Sequence, residues 1–239
     1  MSQLSVRLEE LRQRIEVAAV AAGRNPGEVE LLPVSKGQPA EAVREAIGLG
    51  LSRFGESYVS EAIPKIAKIV EPVDWVYLGP IQSNKTRPIA ENFAAVLGLS
   101  ALKAGYRLSS QRPAGLPPLS VCIQVNVDAD PAKSGIGPDE LAAFVEEISA
   151  LPNLVLRGLM TVPRMDSGGD TPGFATMAAL FERHRDLGAQ WDTLSMGMSA
   201  DFEQAIAHGA TQVRLGTALF GPRAAKRSLA DHSQTSGRG

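Results

Sequence analysis

Short apolar runs of strand length alternate with amphipathic stretches of helix length through nearly the whole chain, and no other feature limits the fold as much. Leu4, Leu8, Leu11, Ile15 and Ala18 recur at three- and four-residue steps with charges between them, which predicts a first helix ending near Gly23 and packing on the outside. Strand and helix patterns then come in pairs: 29–35 and 40–48, 52–55 and 58–70, 75–79 and 85–93, 95–99 and a faintly marked helix from 101. The pairing continues with 119–127 and 138–151, 154–162 and 173–187, 193–196 and 199–208, and finally 211–215 with a last helical piece from near Pro222. Strict alternation implies parallel strands covered by helices. Eight units favour closure into a (β/α)8 TIM barrel, with the first helix as an extra, over an open doubly wound sheet.

A chain of 239 residues that is 44% hydrophobic can bury one large core. One domain over 1–225 is expected, followed by a disordered polar tail over 226–239 that ends in Ser-Gly-Arg-Gly. A net charge of −2 and a pI near 6.0 provide no positive field for a nucleic acid, so none is expected as a partner. Arg7, Glu9, Glu10, Arg12 and Arg14 interrupt the first apolar residues as no secretory segment tolerates, and no later run reaches membrane-spanning length. A cytoplasmic protein without membrane contact is expected. Cys122 lies in the alternating run Val121–Val125, where a buried, inert thiol is expected. His184, His208 and His232 lie far apart without ligand spacing, which points to surface helix or tail positions and to no metal site.

In a barrel, ligands bind at the carboxyl ends of the strands, so the residues closing each apolar run are the candidates. Lys36 directly follows Leu31-Leu32-Pro33-Val34-Ser35 and precedes Gly37. A solvated lysine ending a strand is the ordinary reading, and a desolvated amine reacting with a carbonyl is the functional one. Position alone leaves both standing. Ser195–Ser199 closes the seventh strand and Val213–Thr217 the eighth, the place where barrels hold phosphate. Ser199 fits as a helix N-cap able to donate to a phosphate oxygen, Gly216 permits close backbone approach, and Thr217 adds a hydroxyl. Asp201 in the same turn opposes an anion unless it points outward. Gln82-Ser83-Asn84-Lys85 reads as a helix cap, Lys133-Ser134-Gly135 as a turn with a solvated lysine, and 164–172 as a flexible connector or lid.

Taken together, Pro33-Val34-Ser35-Lys36, Phe54-Gly55-Glu56-Ser57-Tyr58-Val59, Leu78–Lys85, Lys133-Ser134-Gly135, Arg157-Gly158-Leu159-Met160, Leu194–Ser199 and Val213–Thr217 resemble the pyridoxal phosphate homeostasis protein family over about residues 4–223. That family is similar in fold to the N-terminal barrel of alanine racemase and lacks the racemase's β-rich second domain. The resemblance implies pyridoxal 5′-phosphate (PLP) as cofactor, Lys36 as the lysine that forms its Schiff base, and Ser199, Gly216 and Thr217 as its phosphate cradle. Arg214 would face the pyridine nitrogen, and an arginine there favours an unprotonated ring, a weak electron sink. The implied role is intracellular PLP and vitamin B6 homeostasis with amino- and keto-acid balance, not a dedicated catalytic activity. PLP-dependent apoenzymes would be the acceptors, and a monomer or weak dimer is expected. Ser57, a cofactor-binding candidate, stands where the family usually has asparagine, and Val76 where it usually has histidine. Two rivals remain: a weak racemase-like enzyme with Tyr58 or Lys133 as base, and a phosphate-metabolite barrel enzyme without PLP.

Overall fold

A computed structural model describes residues 2–187 and 190–222, and all eight expected strands form in it. Helix α1 (Gln3–Ala21) is capped by Ser2, whose Oγ accepts from Ser5 N at 3.1 Å, and it buries Leu4, Leu8, Leu11, Ile15 and Ala19. Each such leucine or isoleucine contributes about 1.5–3 kcal/mol when fully buried, which fixes α1 to the outside of the barrel. Then follow β1 (Glu30–Pro33), α2 (Ala40–Gly48), β2 (Arg53–Glu56), α3 (Val59–Ile66), β3 (Asp74–Tyr77), α4 (Thr86–Asn92), β4 (Ala95–Leu99) and α5 (Leu102–Gln111). The second half holds β5 (Leu119–Gln124), α6 (Leu141–Ser149), β6 (Leu154–Met160), α7 (Gly173–Arg183), β7 (Thr193–Ser195), α8 (Phe202–Ala207), β8 (Gln212–Leu215) and α9 (Thr217–Phe220).

Several boundaries differ from expectation. Helix α3 stops at Ile66, not at Val70: the chain then tightens into a turn of three-residue hydrogen bonds, Lys68 N to Lys65 O and Ile69 N to Ile66 O, each at 3.0 Å. The last described helix, α9, begins at Thr217 directly after β8 and ends before Gly221 and Pro222. The helical piece expected from near Pro222 lies almost entirely outside the described residues. His184, expected on a surface, is buried with Nδ1 2.8 Å from the Leu180 carbonyl. The expected 226–239 tail, and His232 within it, lies outside the described residues.

All ladders are parallel, in the order β1-β8-β7-β6-β5-β4-β3-β2. The first strand pairs with the last over four residues, Glu30 with Gln212 through Pro33 with Leu215. Between β1 and β2 the circle closes by one bridge, Val34 to Gly55, with Ser35 N donating to Gly55 O at 2.9 Å. Arg53 Nη1 reinforces this seam from below, donating to both carboxylate oxygens of Glu30 at 2.9 Å.

Successive side chains on a strand face opposite sides. Leu31, Val213, Leu194 and Phe54 therefore join the large core between sheet and helices, while Leu32, Val76, Ala95, Leu97, Cys122 and Met160 form a smaller cluster in the barrel lumen. Val76 is fully buried in that cluster, so the lumen accommodates a valine by packing alone.

Candidate functional site

The same period-two rule decides which side chains reach the mouth. On β1, Leu32 faces the lumen, so Val34 and Lys36 follow it inward, while Ser35 turns out toward the helices. Lys36 and Gly37 are the two central residues of a turn closed by Gln38 N donating to Ser35 O at 3.0 Å. Gly37 has φ +75°, which this turn requires at its third position and which a side chain would resist.

Lys36 opens into a cavity of about 350 Å³ at the carboxyl ends of the strands. Val34, Gln38, Ser57, Leu78, Met160, Val162, Met198, Ser199, Ala200, Arg214, Gly216, Thr217 and Gly221 complete its wall. The volume is within the range of about 300–1,000 Å³ usual for small-molecule sites. All six residues singled out from sequence, Lys36, Ser57, Ser199, Arg214, Gly216 and Thr217, line this one space.

Arg214 is the most constrained of them. It is 6% exposed, with Nη1 donating to Ser195 Oγ at 3.0 Å and Nη2 to the Thr161 carbonyl at 2.8 Å. Burial pushes its pKa down to about 10, against the nearby charge of Asp201, so it stays a cation at neutral pH. Behind it runs an ordered chain of hydrogen bonds. Ser195 Oγ donates to Gln212 Oε1 at 2.9 Å, and Gln212 Nε2 donates to Glu30 Oε2 at 2.7 Å. Arg53 completes the line at the opposite end of the barrel. A buried donor or acceptor left without a partner costs about 1–3 kcal/mol, so each link fixes the orientation of the next. Sequence reasoning missed Ser195, Gln212 and Glu30 in this role. The signal was present in Gln212-Val213-Arg214-Leu215, where polar residues alternate with apolar ones in a strand whose outer face is covered by helices.

After β7, Ser199 does not cap α8 as expected; Asp201 occupies that position. Ser199 Oγ accepts from Ala218 N at 3.3 Å, which leaves its own hydrogen to point elsewhere. Asp201 does not face outward either: it is buried, yet it does not line the cavity, because its carboxylate turns back onto its own loop, Oδ1 accepting from Met198 N at 2.6 Å. A side chain at Gly216 would place its Cβ 3.3 Å from the Val34 carbonyl, tighter than ordinary contact, so this residue keeps the first and last strand ends close.

Other candidates resolve differently. Lys133 is not a solvated turn lysine, because its Nζ donates to Asp128 Oδ2 at 2.7 Å and to the Val162 carbonyl at 3.0 Å. Tyr58 is 60% exposed, and neither it nor Lys133 lines the cavity that holds Lys36. No side chain of Ser83 or Asn84 caps α4. The 164–172 segment is tied to itself, with Asp166 Oδ1 accepting from Gly168 N and Asp170 N at 2.9 Å, and Gln204 Nε2 donates to its Gly169 carbonyl. Cys122 is buried, and burial pushes its thiol up to about 12 with a further push from Asp192. Among the described residues no group of three or more His, Cys, Asp or Glu side chains gathers as a metal site would require, and no helix is long and apolar enough to cross a membrane.

Residues 6–224 match the family model of the alanine racemase N-terminal domain. The pyridoxal phosphate homeostasis protein of Pseudomonas aeruginosa is 53% identical over 93% of this chain and 97% of its own length. That of Escherichia coli K12 is 43% identical over 93% and 98%. Among solved structures, PipY of Synechococcus elongatus PCC7942 with PLP bound superposes with a TM-score of 0.74 at 33% identity, covering 92% of this chain and 100% of PipY. Alanine racemase of Corynebacterium glutamicum shares the fold, with a TM-score of 0.65 at 16% identity over 89% of this chain and 60% of the racemase. With a barrel of this topology, this identity and this coverage, the chain belongs to the pyridoxal phosphate homeostasis protein family, whose fold is that of the alanine racemase N-terminal domain.

Proposed function

We propose that this chain holds PLP in the cavity at the barrel mouth, joined to Lys36 Nζ as a Schiff base, and that it serves PLP homeostasis and amino- and keto-acid balance without a dedicated reaction. The observation that carries this reading is the convergence of a half-buried lysine, a fixed guanidinium and two hydroxyls beside a close-packed glycine on one cavity of ligand size. The donor set suits the cofactor: an amine for its aldehyde, Ser199, Thr217 and the Gly216 backbone for its phosphate, Arg214 for its ring nitrogen, and Ser57 on the side wall. When bound, PLP supplies a carbonyl that condenses with an amine and a ring that withdraws electrons.

The chain's own residues restrain that second capacity. Arg214 is locked as a donor by Ser195 and Thr161, so it offers the ring nitrogen no proton acceptor and favours the less electron-withdrawing ring. Racemisation needs an acid or base at each face of the substrate carbon. Tyr58 and Lys133, the two candidates, lie outside the cavity wall, and Lys133 is bound to Asp128. A cytoplasmic protein, monomeric or weakly dimeric, that passes PLP to apoenzymes follows from this reading.

The test is an absorbance spectrum of the purified protein with PLP, before and after borohydride reduction, followed by peptide mapping. A band near about 420 nm that reduction fixes on Lys36 is expected of a lysine-bound PLP. No band after PLP addition would replace this reading with a phosphate-metabolite enzyme, and α-proton exchange in an amino acid would replace it with a racemase-like one.

A further inference from the structure

Directly behind the Lys36 turn, in the layer between sheet and helices, lies a buried ionic cluster with no part in the cavity wall. Glu56, the last residue of β2, is fully buried, and Lys65 of α3 is 6% exposed. Lys65 Nζ spends its three hydrogens on Glu56 Oε1 at 2.6 Å, Glu61 Oε1 at 3.0 Å and the Ser35 carbonyl at 2.8 Å. Ser35 Oγ donates to Glu56 Oε1 at 2.6 Å, and Gly37 N donates to Glu61 Oε1 at 2.6 Å. The residues on both sides of Lys36 are thus bound to one cluster, and the cluster sits where β1 and β2 share a single bridge.

Buried ion pairs are weak devices for stability, since desolvation offsets their attraction; burial indeed holds the Glu56 carboxyl above its usual range. They are more effective at fixing a geometry. Here three of the five contacts end on Ser35 or Gly37, and those residues set the direction of the Lys36 side chain. The geometry points to Glu56, Glu61 and Lys65 as positioning residues for Lys36: they pin its turn against β2 and aim its amine into the cavity. The inference rests on the reading of Lys36 as the PLP-bearing lysine and adds what directs it.

Removing Glu56 or Lys65 would strand a buried charge and endanger the fold. Glu61 is about one-third exposed and can be changed without that risk. The experiment compares the full-length wild-type chain with Glu61→Ala and Glu61→Gln, the latter keeping an oxygen for Gly37 N. Two rates are read at Lys36 by peptide mapping: borohydride-trapped adduct formation with PLP, and acetylation by acetic anhydride in the absence of PLP. A loosened turn should form the PLP adduct about tenfold more slowly yet be acetylated severalfold faster, with Gln restoring both and the melting temperature nearly constant. Equal rates in wild type and Glu61→Ala would overturn the inference, as would two rates falling together with the melting temperature. A wild-type chain that forms no PLP adduct would overturn the proposed function instead. The acetylation arm then decides alone: faster labelling in Glu61→Ala that Gln reverses supports the positioning role, and unchanged labelling overturns it.

Discussion

The lumen of this barrel has two unlike halves. From β3 to β6, with Leu32 reaching in from β1, it is apolar: Val76, Ala95, Leu97, Cys122 and Met160 pack together, and burial holds the Cys122 thiol neutral. From β7 through β8 to β1 it is hydrogen-bonded, with Ser195, Gln212, Arg214 and Glu30 joined from the bottom of the barrel to its mouth. The apolar half keeps the cylinder in shape by filling it, and it would do so in any barrel. The polar half costs desolvation at each group and returns little net stability, so its worth lies in delivering an oriented guanidinium to the cavity.

The largest effect should come where the polar half meets ligand. Lys36→Ala should abolish the borohydride-stable adduct entirely while leaving the far-ultraviolet circular dichroism and melting temperature nearly unchanged, because Lys36 fills no core volume. Next, Arg214→Glu exchanges a fixed donor for an acceptor. PLP bound to that variant should show a shifted absorbance band, and α-proton exchange of an added amino acid should rise by about tenfold, or about 1.4 kcal/mol in barrier. Unchanged spectrum and exchange would break the electronic role proposed for Arg214.

A matched pair of changes tests the two halves against each other. Gln212→Leu removes the link between Ser195 and Glu30, and Cys122→Ser places a hydroxyl among apolar neighbours. Each should cost about 1–3 kcal/mol in urea unfolding, one by losing partners and the other by lacking them. Only Gln212→Leu should also weaken PLP binding; equal effects on binding would mean that the halves are not functionally distinct. The effect that vanishes at neutral pH concerns the Cys122 thiol. The Cys122 thiol is raised from 9 to about 12 in the fold, so above pH 9 the unfolded chain loses this proton first. Stability should therefore fall as pH rises from 9 toward 12, by at most about 1.4 kcal/mol per pH unit, and Cys122→Ala should lack that part of the slope.

The two halves were also unequally legible in the sequence. The apolar half follows from strand periodicity, and β4 and α2 took the predicted limits because their patterns end at clear polar or glycine boundaries. Lys36, Gly216 and Thr217 stood out as residues closing apolar runs. Ser57 and the part assigned to Arg214 came only from resemblance: the alternation in Gln212-Val213-Arg214-Leu215 marks polar side chains on the inner face of a covered strand, but not what they would meet there. Asp201 was misjudged for a related reason. Its burial depends on accepting the Met198 amide, a contact set by how the turn after β7 folds back and not by the residue's type. The Glu56, Glu61 and Lys65 cluster was invisible because it joins two βα units through a backbone carbonyl and an amide that carry no signature of their own.

The thin junction between β1 and β2 has a consequence for the growing chain. The strand that gives β1 its full ladder arrives late, as Glu30 and Gln212 lie 182 residues apart, while the strand made next after β1 offers it one bridge. Synthesis runs from the first strand to the last, so β1 waits for nearly the whole polypeptide before its edge is covered. Until then the cavity around Lys36 lacks much of its wall, because Ser199, Arg214, Gly216 and Thr217 all come late in the chain. A ligand held between them recognises only the closed circle and stabilises it by mass action. Cofactor capture would thus double as an inspection of the finished ring, admitting PLP only to chains whose two ends have met.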